Sequence, residues 1–297
     1  MGGLAVDSED NPRFMPFSRK DLVFLDAETH ALEEPVLIQL AYKRAGGAPV
    51  TQYFSTGGPK IDLKAMAVHH ITEEMLAGIP SFESSPAKAK VADELGKTVL
   101  VAHNAAFDVD VLKRRGVAVP RSICTLRVSR YVYPDLEQHK LQYLRYYLAV
   151  KPAGEIRPHD AEGDILVLEA VFERLYADLS SMHPDLDESG LVDKMIDLSS
   201  RPSVLHACTF GKHKGLLWKD VPADYLRWIM EKSDFDDENV LWTAKHFLDA
   251  AKVPFTPKQG AQSYVCSYPT GAAVPVQTGL PGLEAPAGKP ATFKRAA

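Results

Sequence analysis

LVFLDAET, at residues 22–29, is a short apolar run that ends in acidic residues. Its apolar side chains predict a buried β-strand, in which successive side chains alternate between the two faces of a sheet. Asp26 and Glu28 are two residues apart, so both carboxylates project from the same face at the end of that strand. An isolated pair of this kind is most simply a solvated strand end, because short acidic motifs arise by chance. A bound cation is the alternative, and the remaining acidic residues bear on that choice.

The chain around this strand has the alternating pattern of an α/β domain. Apolar runs at residues 36–44 and 49–55, separated by a Gly-Gly turn, predict a β-hairpin. The run TVLVAH predicts a second buried strand that leads directly into a helix, with Asn104 as its N-cap. Other helices are expected near Asp62, at TEEMLAG with Thr72 as N-cap, and from residues 139 and 160.

Two further acidic residues lie where helices of this pattern begin. Asp108 falls in the first turn after the second buried strand, close to the sheet edge where open α/β folds bind ligands. Its alternative role is to stabilise the helix N-terminus, and Asp110 competes with it for a functional role. Asp164 shares the apolar side of its helix, where an unpaired carboxylate is costly. His159 precedes that helix and can present its imidazole beside Asp164, although a histidine in such a position is more often solvated.

The bulk composition excludes several classes of protein. The 297 residues are 45% hydrophobic and 25% charged, as in ordinary globular proteins, and the net charge is −5. That balance argues against broad coating of duplex nucleic acid, although an enzyme that grips only a strand end needs less positive charge. No apolar run approaches the ~18 residues that a membrane span needs, and the acidic start is unlike a secretory signal. We therefore expect a cytoplasmic protein with no membrane partner. The spacing of the cysteines supports neither disulfides nor a zinc site: Cys124, Cys208 and Cys266.

The C-terminal part of the chain changes character. A compact unit rich in aromatic and basic residues is followed by a segment rich in Gly, Ala and Pro, which we expect to be disordered. Trp218 lies among basic residues that suit phosphate contact with base stacking, namely Lys212, Lys214 and Lys219. The alternative is an amphipathic unit with one solvated face. The predicted organisation is an N-terminal extension, a catalytic domain, a linker, an accessory domain and a tail, at residues 1–19, 20–180, 181–203, 204–257 and 258–297.

Three ordered segments carry a resemblance to a known family. LDAET, HNAAFDVDVL and HDAEGD resemble the three exonuclease motifs of the DnaQ-like (DEDDh) 3′-to-5′ exonucleases. AVHHIT and CTLRVSRYVYP between them are also similar to family segments, so the resemblance covers about residues 20–180. It implies a ribonuclease H-like α/β fold, with a mixed β-sheet flanked by helices. The region after it resembles the small, mainly helical C-terminal unit of exodeoxyribonuclease X-like proteins.

The resemblance also implies a reaction and a set of residues. It makes Asp26, Glu28, Asp108 and Asp164 the metal ligands and His159 the general base. Oxygen ligands of this kind suit Mg²⁺ or Mn²⁺, and two ions per active site can support phosphodiester hydrolysis. We expect the terminal nucleotide to be contacted by the loop after the first motif and by the VHHIT and HNA segments, through Thr29, His30, His69, Ile71 and Asn104. For Ile71, simple packing in the core is an equal alternative.

The expected partner is nucleic acid with a free 3′ end, and a polymerase or repair complex is a further candidate. We expect a 3′-to-5′ exonuclease that acts on DNA and releases nucleoside monophosphates. Two alternatives stay open: an RNA-trimming enzyme of the oligoribonuclease kind, and a catalytically silent module that binds nucleic acid or a polymerase. The sugar preference depends on pocket geometry that the sequence does not reveal.

Overall fold

A computed structural model of the chain describes residues 17–152, 161–232 and 235–252, all of which belong to one compact unit. His159, the expected tail at 258–297 and most of the N-terminal extension lie outside these residues. The strands are β1 Leu22–Thr29, β2 Leu37–Arg44, β3 Val50–Tyr53, β4 Val99–Ala102 and β5 Ser122–Cys124. The helices are α1 Leu63–His69, α2 Ala87–Lys97, α3 Ala106–Arg114, α4 Thr125–Val132, α5 Leu141–Tyr147, α6 Ala161–Met182, α7 Glu188–Ser200, α8 Ala223–Lys232 and α9 Glu238–Lys252.

The five strands form one mixed sheet in the order β3-β2-β1-β4-β5. β2 runs antiparallel to both β1 and β3, whereas β4 runs parallel to β1 and β5. The hairpin of β2 and β3 confirms the one expected at residues 36–55. This mixed sheet, flanked by helices, confirms the ribonuclease H-like α/β fold class.

The central strand β1 separates two apolar cores. Leu22 and Phe24 face the core built with α4, α6 and α7, and the ring of Phe24 meets Phe172 of α6 edge to face at 5.4 Å. Val23 and Leu25 face the opposite core, built with α2 and α3. Because the side chains alternate, a residue's position in β1 fixes which helices it meets.

The C-terminal residues form an apolar cluster of their own. Trp218, Tyr225 and Ile229 pack with Val240 and Ala244, so that α8 and α9 share one small core. This is the mainly helical C-terminal unit that was expected after the catalytic domain. Its predicted boundaries remain predictions.

Two local expectations were wrong, and one helix was not predicted. Residues 73–78 form turns, not a helix capped by Thr72, and the helix in this region is α1, capped by Asp62, whose side chain accepts from the Lys64 backbone N–H at 2.7 Å. Asn104 adopts a left-handed conformation with φ of 68°, one residue before the N-cap of α3. Within the predicted linker, residues 188–200 form α7, which was not predicted from the sequence and whose Val192 and Met195 are fully buried in the main core.

Within residues 17–152, 161–232 and 235–252, no helix is both long and apolar enough to cross a bilayer.

Candidate active site

The end of β1 carries the first two carboxylates. Asp26 and Glu28 continue the alternation of Leu22 and Phe24, so they point to the same side of the sheet as α6. β4 pairs with β1 only as far as Phe24. Beyond that point, β1 extends past its parallel neighbour, and its backbone on that side is available to other groups.

Asp108 uses this available backbone. It lies in the first turn of α3, is 3% exposed, and its Oδ1 accepts a 3.1 Å hydrogen bond from the N–H of Ala27. Ala27 stands between Asp26 and Glu28 in the strand. The bond therefore fixes the third carboxylate directly against the first two.

Asp164 reaches the same place from α6. Ala41 of β2 is the register partner of Asp26, and it packs against Ala161 and Ile165 of α6. Because this contact brings the first turn of α6 onto the sheet beside Asp26, Asp164 joins the other acids. Asp164 lies between the two α6 residues that make that contact.

The four carboxylates also affect one another electrostatically. Burial, followed by repulsion from Asp108, Glu28 and Asp164, raises the pKa of Asp26 well above its usual range. Burial and the charge of Asp164 raise the pKa of Glu28 to about 7. Burial raises the pKa of Asp108 to about 8, against the lowering effect of backbone hydrogen bonds that include the one from Ala27. Negative charge is thus concentrated at a cost that a bound cation would relieve.

The donor chemistry of this cluster fits a hard divalent cation, since every candidate ligand is a carboxylate oxygen. The side chains are not already arranged around one point. Within the part of the chain that the structure describes, no three His, Cys, Asp or Glu side chains stand in an arrangement that could itself hold a metal ion.

The family model described as "RNase_T: Exonuclease" matches residues 23–172, which enclose all four acids. The chain belongs to the DnaQ-like (DEDDh) exonuclease family. The four acids that lie together in the structure are the acids of the three motifs noted in the sequence.

Individual relatives of this exonuclease give further detail. Exodeoxyribonuclease 10 of Escherichia coli strain K12 is 31% identical over 195 residues, which cover 64% of this chain and 80% of that protein. The DNA polymerase III subunit epsilon-like protein of Rhodobacter capsulatus is 30% identical over 178 residues, covering 54% of this chain but 24% of that protein. Among solved structures, Exonuclease X in complex with 5′ overhanging duplex DNA is 23% identical, with a TM-score of 0.47, and the match covers 60% of this chain and 99% of that chain.

Asp110, the competing acid, lies elsewhere in the exonuclease. It is exposed and forms a 2.6 Å salt bridge with Arg114 one helical turn away. Asp108, by contrast, is buried beside Asp26 and Glu28. The structure therefore brings together Asp26, Glu28, Asp108 and Asp164, and it leaves Asp110 on the outer face of α3. His159 lies outside the described residues.

Three residues expected to contact the nucleotide, Thr29, His30 and His69, are buried and held by hydrogen bonds. The Thr29 hydroxyl donates to the Ala31 carbonyl at 2.9 Å, and His30 Nδ1 accepts from the Val36 N–H at 3.1 Å. His69 Nδ1 accepts from the Ile71 N–H at 3.0 Å, which leaves the ring proton on Nε2. That Nε2 is buried near the Thr29 backbone and makes no hydrogen bond of good geometry with any described residue.

The other expected contacts differ in accessibility. Ile71 is 2% exposed and packs with Ile38, Ile61 and Leu76. This is the core packing that was the alternative to a nucleotide contact. Asn104 is exposed at the start of α3. Trp218 is 1% exposed within the C-terminal core, so its ring is not accessible for stacking on a base. The exposed basic residues around it are Lys212, Lys214 and Lys219.

Sequence reasoning missed one residue of the site. The side-chain amide of Gln142, in α5, donates a 2.6 Å hydrogen bond to Oδ1 of Asp164. No motif points to this glutamine, because the contact depends on how α5 packs against α6. The helical spacing of α5 could have shown only that Gln142 lies one turn before the exposed Tyr146.

Proposed function

We propose that the chain is a 3′-to-5′ exonuclease that hydrolyses phosphodiester bonds at the 3′ end of DNA and releases nucleoside monophosphates. One observation carries the proposal: four carboxylates from β1, α3 and α6 lie together, and burial followed by mutual repulsion raises the pKa values of three of them. Such concentrated negative charge is costly for the fold, and a role in binding cations explains why it is present.

Divalent ions are the cofactor that this cluster favours. Asp26, Glu28, Asp108 and Asp164 would hold Mg²⁺ or Mn²⁺, and we propose two ions as in other phosphodiester hydrolases. When bound, the ions neutralise charge on the phosphoryl oxygens and lower the pKa of water. The pairing of Ala27 with Asp108 and of Gln142 with Asp164 keeps two of the carboxylates oriented toward β1.

His159 is the proposed general base. An imidazole with an ordinary pKa of ~6.5 can accept a proton from the attacking water near neutral pH. The assignment is supported by the HDAEGD motif, in which the histidine stands five residues before Asp164. His159 would thus reach the carboxylates from the segment that leads into α6.

Substrate contacts are proposed at both sides of the β1 end. The buried Nε2–H of His69 can donate to an oxygen of the terminal nucleotide, while Thr29 and His30 shape the backbone around it. Asn104 is exposed at the start of α3, next to the helix turn that carries Asp108. We propose these four as the residues that position the strand end.

The preference for DNA is supported by the Escherichia coli relative, which is named an exodeoxyribonuclease. The match covers 80% of that protein. The similarity to polymerase-related proteins makes a polymerase or repair complex a reasonable partner. Buried free thiols at Cys124 and Cys208 are compatible with the reducing cytoplasm, which we propose as the location.

The direction of digestion and the preference for DNA or RNA can be tested together. DNA and RNA strands of one sequence, labelled at the 5′ end, are incubated with the full chain and Mg²⁺. We expect the DNA to shorten stepwise from its 3′ end, and a strand with a blocked 3′ end to stay intact. Faster digestion of RNA would favour the oligoribonuclease alternative, and no digestion of either strand would favour a silent binding module.

A further inference from the structure

A cavity of about 560 Å³ lies away from the four carboxylates, in the range of volumes typical of small-molecule sites. It is bounded by α4, the end of α7, the segment 202–206 and α9. None of the four proposed metal ligands lines it. Its walls therefore come partly from helices that pack on the sheet and partly from the C-terminal unit.

The lining is strongly basic. Its cationic side chains are Arg127, Arg130, Arg201 and Lys219, and Asp135 is the one carboxylate among the residues that line it. Two of the cations are already neutralised, since Arg127 pairs with Glu238 and Arg201 pairs with Asp197. The excess positive charge is therefore carried by Arg130 and Lys219.

Arg130 is the clearest sign of a missing anion. Its guanidinium is half-buried, yet it forms no salt bridge with any carboxylate in the described part of the chain. Its direct contact is a long hydrogen bond of 3.4 Å to the Ser203 hydroxyl. Burial lowers the pKa of Arg130, and the charge of Arg127 adds to this lowering, while the charge of Asp237 offsets part of it. A guanidinium in this position is well suited to a phosphate, whose oxygens match its fork of donors.

Aromatic rings complete the lining. Trp242 of α9 is 40% exposed and Tyr131 of α4 is 37% exposed, and both line the cavity with Phe247. One face of Tyr131 is occupied by His183, which stacks on it with ring centroids 6.2 Å apart. Trp242 is thus the most accessible large ring beside the unpaired cations. An indole next to phosphate-binding side chains is the arrangement that proteins use to stack on a nucleobase.

We propose that this cavity binds a nucleotide, with Arg130 and Lys219 contacting the phosphate and Trp242 stacking on the base. The nucleotide is either free or one unit of a single strand, because both offer the same phosphate and base. The site does not depend on hydrolysis at the four carboxylates, so it can be tested in EDTA. Of the basic residues expected from the sequence to contact nucleic acid, Lys219 is the one that lines this cavity.

A local fluorescence signal tests the proposal. The chain has three tryptophans, of which Trp218 is buried, so the full-length Trp228→Phe protein leaves Trp242 as its exposed indole. Deoxyadenosine monophosphate and an oligothymidylate of about twelve nucleotides are titrated separately in EDTA. We expect saturable quenching with at least one of them. Quenching by the mononucleotide alone identifies a free nucleotide site, and quenching by the oligonucleotide identifies a strand-binding site.

Matched lysine variants test the charge contribution in the same background. Lys219→Gln should weaken the binding by about fivefold or more, whereas Lys214→Gln, exposed but outside the lining, should leave the Kd unchanged. Both lysines are exposed, so neither change should disturb folding. If neither ligand quenches the fluorescence, the proposal is overturned. An equal loss of affinity in the two lysine variants would overturn it as well.

Discussion

The side-chain amide of Gln142 donates a 2.6 Å hydrogen bond to Oδ1 of Asp164, which links α5 to the first turn of α6. This amide orients a carboxylate that we propose as a metal ligand. Residues that orient metal ligands in this way typically change activity or metal affinity by about 10- to 100-fold when they are removed.

Gln142→Ala should therefore reduce kcat by about 10-fold or more while the protein stays folded. Gln138→Ala is the matched control, since Gln138 is an exposed glutamine between α4 and α5. Rates of strand shortening at several Mg²⁺ concentrations measure the effect, and excess Mg²⁺ should restore part of the lost rate. A Gln142→Ala protein as active as the control would show that the hydrogen bond does not serve Asp164 in catalysis.

Asp26→Asn should make the metal-free protein more stable. The Asp26 carboxylate is buried against three others, and its raised pKa means that stability is lost as pH rises toward and through that pKa. We expect the variant to unfold at a higher Tm than wild type in EDTA at about pH 8, and the difference to shrink at about pH 5. Thermal denaturation measures both. A lower Tm for the variant at the higher pH would mean that this carboxylate stabilises the fold.

Mg²⁺ should stabilise the wild-type protein, because a cation offsets the repulsion among Asp26, Glu28, Asp108 and Asp164. A ligand that binds only the folded state raises the Tm, and above its Kd the stabilisation grows with the logarithm of its concentration. We expect the Tm to rise with Mg²⁺, and to rise much less in Asp26→Asn. NaCl at the same ionic strength serves as a control for general ionic effects. Equal shifts in both proteins would indicate that Mg²⁺ binds elsewhere.

Two partly buried histidines with lowered pKa values should limit stability in acid. Burial, together with the nearby Arg130, lowers the pKa of His103 and of His139 to about 4. Since an unfolded histidine titrates at ~6.5, the unfolded state takes up protons first, and these two groups reduce stability as the pH falls from about 6.5 to 4. His139→Gln, which can keep the hydrogen bond to Ser129, should gain stability relative to wild type over that range.

Acid titrations of Tm for the two proteins would measure this difference. An unchanged difference in Tm between about pH 7 and pH 4 would show that His139 is not held neutral in the folded protein.

The acid motifs were predictable because they follow from local pattern. Asp26 and Glu28 end an apolar strand, Asp108 begins a helix after a strand, and Asp164 shares the apolar side of a helix. Each feature is encoded within a few residues, and the order of strands then brings the acids to one edge. The membership of the exonuclease family follows from the same residues.

Other features depend on contacts between distant segments. The helix expected after Thr72 does not form. The chain turns through a left-handed His70, and residues 73–78 then form turns that end at Gly78, which has φ of 75°. Helix α7 was missed because its apolar residues are separated by polar ones, although Val192 and Met195 keep helical spacing. Gln142 and the basic cavity arise from the packing of helices far apart in sequence.

The most direct test of a catalytic carboxylate cluster is the hydrolysis of a 5′-labelled single-stranded DNA by wild type and by Asp26→Asn in saturating Mg²⁺. Circular dichroism first establishes that the variant is folded. We expect wild type to shorten the strand from its 3′ end, EDTA to stop it, and Asp26→Asn to lose at least about a thousandfold in rate. Undiminished hydrolysis by a folded Asp26→Asn protein would contradict the assignment of these carboxylates as the catalytic centre.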